Sequence, residues 1–158
     1  AYKMAQFQIE KAQAPFNGQS QTKVHLSCFK YGPDKYLTVN NGCSCVHVEK
    51  VKLETAAPSP TSIQAWFVIH LGNGNDEINI RSAEDRNKYL SVVDGQVKVA
   101  ASAFIWTREA LDEDAGDYLL HPKTDTNYSL EARTLDDIKI TKTTNIQDSQ
   151  KWNFLPAA

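Results

Sequence analysis

The chain has 158 residues, of which 41% are hydrophobic and 23% charged, and its formal net charge at pH 7 is −2. These values predict a single globular domain that is long enough to bury its own hydrophobic core. Basic residues are interspersed with acidic ones, so no basic face is expected and nucleic-acid binding is excluded. No apolar run approaches the roughly 20 residues needed to cross a bilayer, so we expect no membrane insertion.

The cysteines exclude a disulfide framework and a metal site. There are three of them, Cys28, Cys43 and Cys45, an odd number without further ligands at the spacing of a zinc site. We therefore expect reduced structural thiols and no bound metal or cofactor. The N-terminal residues Ala1–Met4 show no signal segment. A cytoplasmic location is expected, and a processed secreted chain stays open.

Three similar units follow one another along the chain. Each has a short block around a tyrosine, then an alternating apolar strand, then a tryptophan. The blocks are Lys35–Val39, Lys88–Val92 and Asn127–Glu131. The strands that follow them are Val46–Val48, Val97–Val99 and Ile138–Ile140, and the tryptophans are Trp66, Trp106 and Trp152. Landmarks that recur in a fixed order at similar spacing indicate an internal repeat, which determines the architecture.

The segments between these landmarks alternate apolar and polar residues, as Glu77–Arg81 and Gln96–Val99 illustrate. A period of two is typical of strands with one buried face. Turn residues such as Asp94 and Gly95 separate them. Only Ala103–Leu111 could carry a helical turn, so the chain is predicted to be all-β.

Four short strands in each of three units make twelve strands, which is best explained by a β-trefoil. In that fold six strands close a barrel and three hairpins cap one end, so the sheet edges are removed. The units run roughly over 1–66, 67–106 and 107–158, and they interlock as one domain covering 1–158.

The extra length lies in three loops, 11–22, 54–62 and 109–117, where a protein partner could bind. The proline-containing stretch Ala56–Pro60 would suit a protease cleft, although an ordinary surface connection is favoured. The acidic stretch Asp112–Asp117 lacks the register of a calcium-binding loop and is interpreted as a solvated hairpin tip.

Two motifs carry a resemblance to known β-trefoil families. The Gln-x-Trp endings at Gln64–Trp66 and Gln150–Trp152 resemble those of ricin-B-like lectins, including small fungal members and the lectin-like light subunit of mushroom tyrosinase. The blocks Lys35–Val39 and Asp94–Val99 are also similar to fascin and other actin-binding trefoils. Trefoils serve many functions, so these motifs are stronger evidence for the fold than for a ligand.

The lectin resemblance implies a sugar pocket made of an acid, a stacking aromatic residue and an amide near each Gln-x-Trp. The acidic positions are Val39, Val92 and Glu131, so only unit three has an acid. Its aromatic position is Thr141. The amide is present as Gln64 and Gln150 but is replaced by Phe104 in unit two.

The candidate carbohydrate-binding residues are therefore Glu131, Asp148 and Gln150, with help from Asn145. Gln64 and Gln150 also have a structural interpretation, in which the side chain bonds to backbone and holds a hairpin in place. His25 and His47 alternate with apolar neighbours and are expected to face solvent, and no catalytic signature is visible, so no enzyme is predicted.

The leading function is binding of a glycan or glycoprotein. The alternatives are a protein-binding trefoil, either a protease inhibitor or a subunit docked on an enzyme, and a fascin-like actin-binding module.

Overall fold

The computed structural model of the protein describes residues 20–39, 49–56, 62–72, 74, 76–112 and 116–157. Within them the backbone forms twelve strands and three single-turn 3-10 helices, with no α-helix, so the all-β prediction is confirmed. The first unit has β1 Gln21–Cys28, β2 Lys35–Val39, β3 Glu49–Thr55 and β4 Trp66–His70. The second has β5 Glu77–Ser82, β6 Tyr89–Val93, β7 Gln96–Ala100 and β8 Trp106–Asp112. The third has β9 Asp117–Pro122, β10 Tyr128–Ala132, β11 Ile138–Lys142 and β12 Trp152–Pro156, and the 3-10 helices are η1 Phe29–Tyr31, η2 Ser62–Gln64 and η3 Asp148–Gln150.

Six strands close into a barrel. Its order is β1, β4, β5, β8, β9, β12 and back to β1, with antiparallel pairing at every step. The other six form three hairpins, β2–β3, β6–β7 and β10–β11. A closed ring leaves no barrel strand with an unpaired edge. The fold is the predicted β-trefoil.

Turn chemistry fixes the β6–β7 hairpin. Val93 pairs with Gln96 across the two intervening residues Asp94 and Gly95, whose φ angles are 51° and 75°. A two-residue turn with positive φ at both positions matches the twist of the flanking strands, and Asp-Gly is a favoured pair for it. The turn that the sequence predicted is therefore present.

The three tryptophans show that the units are equivalent. Each begins a barrel strand and is 0% exposed. Each indole Nε1 donates a hydrogen bond to a leucine carbonyl at 2.9 Å, from Trp66 to Leu37, from Trp106 to Leu90 and from Trp152 to Leu130. The core is thus built from the same indole–leucine contact three times.

The leucines correct the alignment of unit three, which the sequence had aligned on tyrosine. Leu130, not Ser129, corresponds to Leu37 and Leu90, so the predicted alignment is wrong by one residue. Tyr128 instead occupies the place of a lysine in the other units: the backbone N–H groups of Lys35, Lys88 and Tyr128 donate to the turn carbonyls of Gly32, Asp85 and Asp125.

One further prediction, on a helical turn, is wrong, and another, on the strand after the first tyrosine block, falls outside the described residues. The residues of β3 that face the core are Val51 and Leu53. Leu53 pairs with Leu37 in unit one, and Val99 pairs with Leu90 at the equivalent place in unit two. The predicted pair Val46–Val48 lies outside the described residues. The Ala103–Leu111 window forms no helical turn, since β8 begins within it at Trp106. None of the described helical segments has the length and hydrophobicity required to span a membrane.

The three long loops are described only in part. Residues 11–19, 57–61 and 113–115 lie outside the described residues, as do Cys43, Cys45 and His47. Strands β8 and β9 enter the 109–117 segment from its two sides and pair antiparallel there, with a register shift between Ala110 and Asp112.

Candidate functional site

The acidic position predicted in unit three is occupied by Glu131 near the end of a hairpin strand, but its counterparts in the other units differ from those expected. With the leucines aligned, Glu131 corresponds to Thr38 and Ser91 rather than to Val39 and Val92. The hydroxyls of Thr38 and Ser91 are buried and donate to carbonyls of their own strands at 2.8 Å. Only unit three therefore places a carboxylate at this point.

Glu131 is half-buried and held in place. Its Oε2 accepts a hydrogen bond from the hydroxyl of Ser149, the middle residue of η3. The carboxylate is thereby fixed at the junction between the β10–β11 hairpin and η3. A carboxylate accepts hydrogen bonds only, so it suits a ligand that presents hydroxyl donors.

Gln150 faces the interior and has a structural role. It is 2% exposed, and its Nε2 donates to Thr141 Oγ1 at 3.1 Å and lies within 3.5 Å of the Lys142 carbonyl. Its Oε1 accepts the backbone N–H of Gln147 at 2.9 Å, which completes a capping box on η3. Both ends of the amide are therefore occupied by the protein, and a bound sugar would find neither end free.

Gln64 repeats this arrangement in unit one. Its Nε2 donates to the Thr55 carbonyl at 3.0 Å. Thr55 corresponds to Lys142 of unit three, because each pairs with the first residue of the preceding hairpin strand, Lys35 and Tyr128 respectively. The structural interpretation of the two glutamines is thus supported in both units. In unit two Phe104 stands at this position, and its ring packs on Trp106 with centroids 5.0 Å apart.

Asp148 and Asn145 are exposed beside η3. Lys151 Nζ lies 3.0 Å from Asp148 Oδ1, and the Asn145 carbonyl accepts a hydrogen bond from the Gln147 side chain. The structure thus separates the four predicted residues: Glu131, Asp148 and Asn145 reach the surface around η3, whereas Gln150 lies beneath it.

A small cavity lies beside Asp148. It has a volume of about 330 Å³ and is lined by Lys30, Ile146, Gln147, Asp148 and Ser149; we call it the unit-three notch. It combines a carboxylate, an amide and an ammonium group with the exposed apolar side chain of Ile146. Such a mixture of donors and acceptors beside an apolar wall fits a polyhydroxylated ligand.

Sequence reasoning missed the residues that η1 contributes. Phe29 is 50% exposed, and Lys151 Nζ lies 5.4 Å from its ring centroid. The backbone N–H of Phe29 donates to the carbonyl of Lys151, the residue before Trp152. In the same way, the backbone N–H of Ala83 donates to the carbonyl of Ala65, the residue before Trp66. Phe29 in unit one therefore corresponds to Ala83 in unit two. The only signal in the sequence is an aromatic residue directly after a strand where unit two has alanine.

A buried thiol lies below the notch. Burial raises the pKa of Cys28 to about 11, with a smaller rise from Glu131 and an opposing effect of Lys30. The Cys28 Sγ–H points at the carbonyl of Ser149, 3.4 Å away. The thiol is thus protonated near neutral pH, and it packs against η3 as a structural group.

The described histidines form no catalytic set. His25 is buried rather than solvent-facing, because its outward face is covered by Tyr36, with the rings stacked 4.2 Å apart. His121 lies between the Tyr128 carbonyl and the Glu109 carboxylate. The pKa of His70 is lowered mainly by burial and, to a smaller extent, by the positive charge of the nearby Arg108.

No Ser, Thr or Cys side chain in the described ranges bonds to a histidine, and no group of three or more potential metal ligands occurs there.

Comparison with known proteins identifies the fold. No family model matches the chain, and no curated protein matches it in sequence.

Among solved structures, the Rhizoctonia solani agglutinin is similar with a TM-score of 0.68 and 16% identity over 87% of this chain and 96% of its own. The Macrolepiota procera ricin B-like lectin, solved with lactose, has a TM-score of 0.66 and 14% identity over 86% and 96%. SeviL, solved with asialo-GM1 saccharide, has a TM-score of 0.66 and 19% identity over 88% and 100%.

Other neighbours are larger proteins. The chain spans 34% of the Clostridium perfringens endo-β-galactosidase that it resembles and 17% of a mosquitocidal holotoxin. The fold is thus found both in small lectins and in parts of enzymes and toxins. The chain has the β-trefoil fold of the ricin B-like lectins.

Proposed function

We propose that this protein binds carbohydrate in the manner of a lectin and catalyses no reaction. The observation that carries the proposal is the unit-three notch, where the carboxylate of Asp148, the Gln147 amide and the Lys30 ammonium surround a cavity of about 330 Å³. The similar trefoils solved with lactose and with asialo-GM1 saccharide support this ligand class.

The notch and the residues next to it, Glu131 bonded to Ser149 and Phe29 beside Lys30, offer the two kinds of contact that sugars need. Glu131 is anchored through one oxygen by Ser149 and Asp148 is exposed, so both carboxylates can accept hydrogen bonds from vicinal hydroxyls. The ring of Phe29 and the side chain of Ile146, 50% and 46% exposed, offer an apolar surface for the face of a pyranose. Phe29 would thus replace the stacking residue that Thr141 cannot supply.

The test is a glycan array probed with the full chain, followed by affinity measurements with the glycan bound most strongly. Asp148→Asn removes one charge at constant size, and Phe29→Ala introduces the residue that unit two has at this position. Losing a charged hydrogen bond costs about 1.5–3 kcal/mol, which corresponds to a roughly 10–100-fold rise in Kd.

Asp136→Asn is the matched control, because Asp136 is an exposed carboxylate of the same unit that does not line the notch. It should bind with wild-type affinity. Silence across the array, or notch variants that bind like the wild type, would overturn the proposal and turn attention to a protein ligand.

A further inference from the structure

A second cavity lies where units two and three meet. It has a volume of about 320 Å³, and we call it the boundary groove; its lining residues are Val92, Gly95, Phe104, Pro122, Thr124, Asp125, Tyr128 and Ile140. None of them belongs to the unit-three notch. Its volume is at the lower end of the range of small-ligand sites, roughly 300–1,000 Å³.

Part of the groove is apolar because unit two departs from the repeat. Where units one and three have a glutamine that bonds to backbone, unit two has Phe104, half-buried against Trp106. The position therefore presents an apolar ring to the groove instead of an amide. Val92 and Ile140, both partly buried, extend this apolar part.

The lining also includes an exposed aromatic ring. Tyr128 is 36% exposed and stands where the other two units have Lys35 and Lys88. Its backbone is fixed at both ends: the carbonyl contacts His121 Nδ1 at 2.9 Å, and the N–H donates to Asp125 O at 3.3 Å. Within the described part of the chain, its hydroxyl has no hydrogen-bond partner and its ring no aromatic or cationic partner.

An acceptor lies beside the ring. One carboxylate oxygen of Asp125 accepts the backbone N–H of Asn127 at 3.1 Å, which orients the side chain. Its other oxygen has no donor among the residues that the structure describes. The groove thus combines an oriented carboxylate, the Thr124 hydroxyl and an exposed ring.

We propose that the boundary groove is a second saccharide subsite, in which the apolar face of a pyranose packs on Tyr128 and a ring hydroxyl donates to Asp125. This inference rests on the proposed function, because it assigns the same class of ligand to a different place. An aromatic ring next to a carboxylate suits a sugar, since the C–H face packs on the ring while hydroxyls need acceptors. Two separate subsites would also allow one chain to bind a branched glycan at two points, which raises avidity.

The test is residue-resolved NMR on the uniformly 15N-labelled full chain. The probes are the methyl glycosides of galactose, glucose, mannose and N-acetylglucosamine, together with lactose, each at millimolar concentration. We expect at least one probe to shift the amide signals of Gly95 and of 125–128 and to receive saturation from the Tyr128 ring.

Two variants isolate the groove. Tyr128→Lys introduces the residue that the other units carry at this position, so the fold should tolerate it. Asp125→Asn retains an oxygen that can accept the Asn127 N–H. Each should weaken binding in the groove at least tenfold while leaving sugar-induced shifts at Asp148 and Ser149 unchanged, and Phe29→Ala should do the reverse.

The outcomes separate the two proposals. Shifts confined to the notch would overturn the second subsite and support the first. Shifts confined to the groove would support the subsite and overturn the notch. If no probe shifts either set of signals, or if shifts in the groove survive Tyr128→Lys, the subsite is rejected.

Discussion

Replacing a core tryptophan with phenylalanine tests the threefold architecture directly. In Trp152→Phe, the Leu130 carbonyl loses the indole N–H that lies 2.9 Å away in the native protein. A buried acceptor left without a partner costs about 1–3 kcal/mol. The smaller ring also leaves a void beside residues that are 0% exposed, which adds about 1 kcal/mol. The expected loss in the free energy of unfolding is therefore about 3 kcal/mol.

The same loss is expected for Trp66→Phe and Trp106→Phe, because all three indoles make one hydrogen bond of the same length to a leucine carbonyl. The assay is urea unfolding followed by far-UV circular dichroism, in which the midpoint of the transition is compared between variants. With a slope of about 2 kcal/mol per molar urea, each midpoint should fall by about 1.5 M.

Tyr128→Phe is the control, since an exposed phenol without a partner among the described residues should change stability by less than about 0.5 kcal/mol. A loss below about 1 kcal/mol in any one of the three tryptophan variants would refute the reasoning, because that indole would then not carry an equivalent share of the core.

Gln150, His70 and Cys28 are polar groups that are wholly or partly buried, and each gives a prediction. Gln150→Leu should lower the free energy of unfolding by about 2 kcal/mol, because it removes hydrogen bonds on both ends of the amide. It should leave the affinity for sugar unchanged. Thermal melts check the stability, and titration calorimetry checks the affinity. The pKa of His70 is lowered in the folded protein, so the unfolded chain binds more protons and the free energy of unfolding should fall as the pH drops below about 6.5. Arg108→Gln should raise the pKa of His70, as measured by NMR titration. If that pKa did not rise, Arg108 would be excluded as a cause of the shift. Cys28, with a pKa of about 11, should resist alkylation at pH 8 until the protein unfolds, as peptide mass spectrometry would show; rapid labelling of the native protein would contradict its burial.

Much of the fold could be predicted because its signals are local. Alternation identified strands such as β5 and β7, and Asp94-Gly95 identified the turn between β6 and β7. The tryptophans gave the repeat because an indole that is fully buried and hydrogen-bonded tolerates little change in position.

The wrong predictions arose where the order of apolar, polar and aromatic residues does not show which side chain is buried in the fold. Tyr128 was aligned with other tyrosines, although it lies at a partly exposed strand start, whereas the inward Leu130 carries the contact with Trp152. His25 was placed facing solvent because it alternates with apolar residues, but Tyr36 from the neighbouring hairpin covers it.

The candidate site was harder to predict, because its parts come from distant segments. Phe29 and Lys30 on η1 approach Asp148 on η3 only after β1 and β12 have paired. No local spacing relates them. A sequence pattern could locate Glu131, but it could not show that Gln150 lies beneath the surface with its amide fully engaged.

The pairing of β1 with β12 has a consequence for synthesis on the ribosome. Of the strands that the structure describes, Gln21–Cys28 is made first, and it finds one of its two neighbours only when Trp152–Pro156 has emerged from the exit tunnel. Until then the growing chain carries an unsealed seam whose open backbone could pair with another nascent chain. Because contacts between segments so far apart in the chain form slowly, the pairing of β1 with β12 is expected to be a late step of folding.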